Sequence, residues 1–245
     1  MSDKFYITTP IYYVNDKPHI GHAYTTIVAD VLARHYRQKL GDKSVYFLTG
    51  TDEHGAKIAE AAKAANISPQ EFTDQITQEF KTAWEKLDIK YNDFIRTTED
   101  RHKKIVVDIL NKLKEVGALY ESEYKGLYCV GCEKFLTDND LVDGKCPDHD
   151  REPEQVTEKN WFFKLADYLP IIEKKIKSDE LKIYPATRKN EVLGLIKQGI
   201  PDFSISRSNK SVPWGIDLPW DSEQKAYVWV DALSNYITAL DYPDG

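Results

Sequence analysis

The sequence predicts an α/β protein built on a doubly wound parallel sheet that is interrupted by an inserted, cysteine-bearing segment. Two observations predict it. Strand-like and helix-like periods alternate three times over roughly the first 115 residues. The alternation then gives way to short strands and turns, and an apolar run resembling strand then helix returns only at 226–240.

The elements follow in order. "KFYITT" (4–9) is a short β-prone run stopped by Pro10. Ile20, Tyr24, Ile27, Val31 and His35 then recur at steps of three and four, which is helix spacing, with Pro18 ahead and Gly41 as a C-cap. "SVYFLTG" (44–50) is the next strand and "KIAEAAKAAN" (57–66) the next helix. Ser68-Pro69-Gln70-Glu71 is a capping box with proline at the first helical position, opening a helix that runs through Phe72, Ile76, Phe80 and Leu87. "DFIRTT" (93–98) is a third strand, and Ile105, Ile109, Leu113 and Val116 a further helix closed by Gly117. Between Leu119 and Lys225 come "GLYCVGC", "NWFFKL" and "FSISRS", with amphipathic helices near 166–177 and 187–198. "AYVWVDALSNYITAL" (226–240) reads as strand then helix, before the closing "DYPDG". The expected division is 1–117, 118–225 and 226–245.

Composition narrows the function classes. The 245 residues carry a net charge of −7, which argues against a dedicated clamp for phosphate backbone, although a local basic face is compatible with that sum. The apolar runs are too short to span a membrane, and the first residues lack the basic and apolar regions of a signal peptide. A cytoplasmic location is expected. The 3 cysteines are an odd number, and their grouping points to metal rather than to disulfides.

Three groups of residues carry chemistry. His19-Ile20-Gly21-His22 lies between the first strand and the first helix, where free backbone N–H groups and the helix dipole favour anions. Two imidazoles add donors, and Gly21 lets a flat group approach the backbone. The alternative is that His19 caps the helix and His22 is a surface group. Neither Gly-x-Gly-x-x-Gly nor Gly-x-x-x-x-Gly-Lys-Ser/Thr is present, so phosphate recognition would use another design.

In "TGTDEHG" (49–55), Asp52 follows a strand end at the same crevice edge. It suits either an α-ammonium partner or a place in a helix N-cap cluster with Glu53 and His54. Cys129-x-x-Cys132, thirteen intervening residues and Cys146-Pro-Asp-His149 have the spacing of a closed tetrahedral Zn²⁺ site, with Gly131 and Gly144 permitting tight turns. Asp148 or Asp150 is the alternative to His149.

"PIYYVNDKPHIGHAYTTIVADVLARHYR", "FLTGTDEHGAKI" and "AYVWVDALSNYITAL", together with the knuckle, resemble the methionyl branch of the class I aminoacyl-tRNA synthetases. The resemblance covers essentially the whole chain. It implies a Rossmann-like parallel sheet with an inserted zinc-knuckle connective domain. It also implies a methionine–tRNA ligase that makes methionyl-adenylate from methionine and ATP with Mg²⁺, then passes the acyl group to tRNA(Met). His19, Gly21 and His22, with Tyr13 and Asn15, would serve ATP. Ile11, Tyr13, Asp52, Trp229, Ala232, Leu233 and Tyr236 would hold methionine, Leu233 standing where some relatives have proline. The second signature of such enzymes, Lys-Met-Ser-Lys-Ser, is absent; "SNKS" (208–211) lies upstream of "YVWVD" and is a decoy. The chain is therefore expected to be an N-terminal part, inactive or poorly active alone, with tRNA held mainly elsewhere. The rivals are a synthetase for valine, isoleucine, leucine or cysteine, and a non-catalytic zinc module that binds tRNA or protein.

Overall fold

Residues 4–132, 134–136, 140–240 and 242 are described by a computed structural model, without the side chains of 124, 125, 134, 135 and 156. Of the closing "DYPDG", only Tyr242 falls within this range.

Pro10 splits the first strand into β1 (Phe5–Thr8) and β2 (Tyr12–Tyr13). Both run parallel to β3 (Val45–Asp52), which sets Phe5 opposite Val45 and Tyr13 opposite Asp52. On the other side of β3 lies β4 (Asp93–Arg96), also parallel, with Leu48 opposite Asp93. Gly50 is required where these two strands meet: a Cβ there would stand 2.0 Å from the carbonyl oxygen of Ile95. Gly50→Ala should therefore destabilise the fold by about 1–3 kcal/mol or more, read from urea unfolding.

Helices cover both faces of the sheet, as side-chain alternation along β3 demands. Phe47 packs with Ala29 and Ala33 of α1 (Ile20–Leu40), Ile58 of α2 (Ala56–Ala64), and Phe80 and Trp84 of α3 (Pro69–Lys86). Leu48 packs on the opposite face with Ile95 and Ala239. The expected capping box opens α3: Ser68 Oγ accepts from the Glu71 N–H at 3.2 Å, and the Glu71 carboxylate accepts from the Ser68 N–H at 2.9 Å.

Helix α1 has its predicted length and C-cap but turns the other way. Ile20, Tyr24 and Val31 are exposed, and the buried stripe is Thr26, Ala29, Asp30 and Ala33. Small side chains let the helix lie close to the sheet. Asp30 is held there by the Arg34 guanidinium at 2.6 Å and the Lys90 N–H at 2.8 Å.

Helix α4 (Asp100–Glu115) leads into antiparallel structure. One sheet has the order β6 (Lys134–Leu136), β5 (Leu119–Cys129), β7 (Glu154–Phe163), β8 (Phe203–Ser204). A second has β10 (Asp217–Leu218), β11 (Asp221–Ala226), β9 (Ser206–Ser208). Between β7 and β8 lie α5 (Leu165–Lys177) and α6 (Ala186–Gln198), close to the expected spans.

The reading of 226–240 as strand then helix needs correction. The strand, β11, ends at Ala226 and pairs antiparallel with β9 and β10, not with the parallel sheet. "VWVD" already belongs to α7 (Val228–Thr238), so Trp229 stands in a first helical turn and not on a buried strand. The β-branched and aromatic run favours a strand locally. Burial of Asp231, Asn235 and Thr238 on one helical stripe decides otherwise.

Candidate functional site

The C-terminal end of β3 and the first turns of α7 enclose a cavity of about 310 Å³. Ile11, Tyr13, Asp52, Trp229, Ala232, Leu233 and Tyr236 all line it, joined by Pro10, Lys57, Cys132 and Val228. One end carries the Asp52 carboxylate. Apart from Lys57 the rest of the lining is mainly apolar and aromatic, and Trp229 and Leu233 are 53% and 59% exposed. Helix α7 is thus inverted, with polar side chains turned inward and large apolar ones left accessible beside the cavity. His19, Gly21, His22 and Asn15 lie outside this lining, on the turn after β2 and the start of α1.

The two imidazoles form the N-terminal cap of α1. His19 is the N-cap and its Nδ1 accepts from the Gly21 N–H at 3.0 Å, while His22 Nδ1 accepts from the His19 N–H at 3.3 Å. The rings stack at 3.7 Å between centroids. Accepting at Nδ1 leaves each neutral ring with its proton on Nε2. Gly21 has a further reason here: a Cβ would come within 2.9 Å of the His19 ring.

His22 also packs against Tyr12 and Phe80. Burial, with His19 beside it, pushes the His22 pKa below its ordinary value of 6.5. The sign follows: below pH 6.5 the unfolded chain takes up this proton before the folded one, so stability present above 6.5 is lost on acidification. Melting temperatures from pH 7.5 to 5.5 should fall more steeply for the wild type than for His22→Asn, which lacks the titrating ring.

"TDEHG" divides its labour. The N-cap of α2 is Gly55, without a side-chain bond, so Asp52 does not cap that helix. Glu53 is fully buried and accepts from Thr51 at 2.6 Å, Thr77 at 2.7 Å and both Nε and Nη2 of Arg96 at 2.7 and 2.9 Å. A buried carboxylate is tolerated when so completely paired. His54 Nδ1 is 2.6 Å from Asp231 Oδ2, and His102 Nε2 on α4 is 2.7 Å from Asp231 Oδ1. Burial alone would raise the Asp231 pKa, but the two histidines hold it below the usual carboxylate range.

The knuckle closes as its spacing requires. The ligand atoms of Cys129, Cys132, Cys146 and His149 all lie within 4.8 Å of one another. Cys132 Sγ is 3.4 Å from Cys146 Sγ and 3.3 Å from His149 Nδ1. A tetrahedron of about 2.3 Å bonds has edges of roughly 3.7 Å, so the four donors fit one ion. Asp148 is peripheral, 3.6 Å from Cys132 Sγ, and Asp150 pairs with Lys145. Gly131 makes room for the His149 ring, which a Cβ would approach to 2.4 Å, and Gly144 takes a φ of 77°. The group is a candidate metal site with no open coordination position.

Sequence similarity gives this arrangement its family. Residues 5–155 and 140–244 match the family described as "tRNA synthetases class I (M)". The chain belongs to this family. It is 50% identical over 242 residues to the methionine–tRNA ligase of Caldanaerobacter subterraneus subsp. tengcongensis, covering 99% of this chain and 37% of that protein. It is 45% identical over 247 residues to the methionine–tRNA ligase of Streptomyces coelicolor, covering 97% and 45%. Mycobacterium tuberculosis methionyl-tRNA synthetase bound by methionyl-adenylate superposes with a TM-score of 0.90 at 36% identity, over 99% of this chain and 48% of that one. The apo form of that protein gives 0.80. The chain thus spans less than half the length of these class I relatives.

Sequence reasoning missed Lys57 and Cys132 in the cavity wall, and Asp231 and His102 beneath it. Asp231, Asn235 and Thr238 could have been found, because they form a polar stripe at helical spacing within an apolar segment. Nothing around His102 signals its partner.

Proposed function

We propose that this chain carries the amino-acid and ATP sites of a methionine–tRNA ligase, which joins methionine to ATP as methionyl-adenylate and then to tRNA(Met). The observation that carries the reading is the cavity, whose lining combines one carboxylate with a mainly aromatic and apolar wall. Its volume of about 310 Å³ suits a small ligand. Asp52 would receive the α-ammonium by a charge-assisted bond, and Trp229, Leu233 and Tyr236 would take a long polarizable thioether chain. Similarity to a protein bound by methionyl-adenylate supports the same occupant here.

In this reading a methionine carboxylate oxygen attacks the α-phosphorus of ATP and pyrophosphate leaves. A hydroxyl of the terminal tRNA ribose then attacks the acyl carbon and releases AMP. His19 and His22 present Nε2–H donors to phosphate oxygens as charge moves to the leaving group. Tyr13 and Asn15 border the two substrates. Mg²⁺ would accompany ATP and share its negative charge. The knuckle would hold one structural Zn²⁺, the borderline-soft ion suited to three thiolates and an imidazole.

The division into 1–117, 118–225 and 226–245 belongs to the same reading, supported by the confinement of β5–β11 to antiparallel sheets. A cytoplasmic location does too; no helix among the described residues is long and apolar enough to cross a membrane.

Pyrophosphate exchange into ATP, run with the complete protein over a panel of amino acids, tests the reading. Exchange with methionine alone is expected, and Asp52→Ala should raise the methionine KM far more than the ATP KM. Exchange with valine, isoleucine, leucine or cysteine would overturn the assignment of the α7 wall. A folded, metal-loaded protein active with none would favour a binding module.

A further inference from the structure

Helix α7 supplies most of the apolar lining of the cavity, while its apolar anchors are small: Val230 packs against the cluster around Ile205 and Ile216, and Ala239, just past its end, against Leu48 and Ile95. Its buried stripe is Asp231, Ala232, Asn235 and Thr238, and its large apolar residues Trp229, Leu233 and Ile237 are 53%, 59% and 42% exposed. The directional ties to the rest of the molecule are polar. Asp231 uses one carboxylate oxygen for His54 at 2.6 Å and the other for His102 at 2.7 Å. The second nitrogen of His102 meets Thr238 Oγ1, two helical turns further along α7, at 2.8 Å. Tyr6 and Tyr46 add hydroxyl bonds to the carbonyls of Tyr236 and Ala239 at 2.8 and 3.2 Å. His54, His102 and Asp231 are all nearly inaccessible, at 3%, 0% and 1%.

The place of His54 in the chain gives these bonds a use. It stands two residues beyond Asp52, at the end of β3. The segment that leaves β3 directly after the cavity's carboxylate is therefore bonded to the helix that supplies most of the apolar lining. His102 ties both to α4. Short charge-assisted bonds fix direction as well as distance, which apolar contact among alanines does not.

We propose that His54, Asp231 and His102 form a clasp that sets the separation of the two cavity walls, and with it the length of unbranched side chain that the site accepts. All three are positioning residues; none of them lines the cavity. The inference rests on the proposed amino-acid site. A change of one methylene in an apolar pocket is worth about 10–200-fold in discrimination, so a small shift of α7 is readable as lost selectivity.

Ring geometry supplies the controls. His102 reaches Asp231 through Nε2, a position that a glutamine amide nitrogen reproduces, whereas leucine cuts the bond. His54 reaches it through Nδ1, which asparagine reproduces. Equilibrium titrations of the metal-loaded chain with methionine, its S-ethyl homologue and norvaline read the effect. We expect His54→Leu and His102→Leu to weaken methionine binding about tenfold and to bring the three affinities close together, with a methylene's discrimination largely lost. His54→Asn and His102→Gln should restore most of the selectivity. Thr238→Val, which removes the bond that orients His102 together with a long 3.3 Å bond to the Asn235 carbonyl within α7, should shift selectivity in the same direction by less, and it serves if a leucine variant does not fold. Leucine or valine variants that bind methionine more weakly but keep the wild-type ratios among the three ligands would overturn the clasp. Failure of the folded wild-type chain to bind methionine would instead overturn the amino-acid site itself.

Discussion

His19→Asn and His22→Asn lower methionine-dependent pyrophosphate exchange by about 10²–10³-fold each, the usual cost of losing one donor to developing charge. Their melting temperatures stay close to that of the wild type. The two outcomes separate because each imidazole does two things with two nitrogens. Nδ1 faces the backbone and caps α1. Nε2 faces away and is free to meet a phosphate oxygen. An asparagine oxygen can replace Nδ1, and asparagine is among the best N-caps. It cannot reach where Nε2 reaches. Glutamine does the opposite: its amide nitrogen extends to the Nε2 position but leaves the cap unmade. His19→Gln should therefore retain more activity than His19→Asn while losing about 1 kcal/mol of stability. The reverse ranking, with asparagine active and glutamine inactive, would reduce both histidines to helix caps. Exchange rates and thermal melts of these three single variants in the complete protein decide between these outcomes.

The same two histidines show how much of the molecule the sequence carries. The residues His19 to His22 mark a helix start, and helix spacing from Ile20 onward fixes the element that follows. Periodicity does not say which stripe faces the sheet. In α1 the large apolar stripe is outward and the alanine stripe inward, since only small residues allow the helix to approach β3. In α7 the reversal goes further, with Asp231 inward and Trp229 outward. Both cases run against the expectation that apolar residues are buried, and both stand beside the candidate site. "TDEHG" shows a different limit. Three neighbouring polar residues look alike in sequence, but the strand end sends Asp52 to the cavity, Glu53 to Arg96 and His54 to Asp231. Partners 43 and 177 residues away determine the last two roles. The grouping of Cys129, Cys132, Cys146 and His149 was legible because they are local and their spacing is itself the geometric constraint.

Metal removal is the second large effect. Chelation, or Cys146→Ser, should abolish binding of one metal equivalent per chain and unfold the segment from Gly126 to Arg151, read by metal analysis and by hydrogen exchange. Structural zinc in small modules contributes about 10–16 kcal/mol. Among the described residues the segment's buried side chains are few: Cys129, Leu136 and Cys146 cluster with Leu127, Cys132 and Leu141 packed against them, and Tyr128 is buried under Arg207. Without an ion the donors do not suit one another. The hydrogen bond from His149 draws the Cys146 pKa down to about 6, while burial pushes that of Cys132 up to about 12. The damage should not stay local. Cys132 lines the cavity proposed for the amino acid, and the Lys57 ammonium, also in its wall, donates to the carbonyl of Gly131 between the first two ligands. Metal loss should therefore weaken methionine binding although no ligand of the ion needs to touch the amino acid's reacting atoms. Lys57→Met separates the two effects. It keeps all four metal ligands and removes the tie, so it should retain full metal content and lose part of the methionine affinity. If the stripped chain binds methionine as tightly as the loaded one, the knuckle serves another surface and the wall of the cavity stands without it.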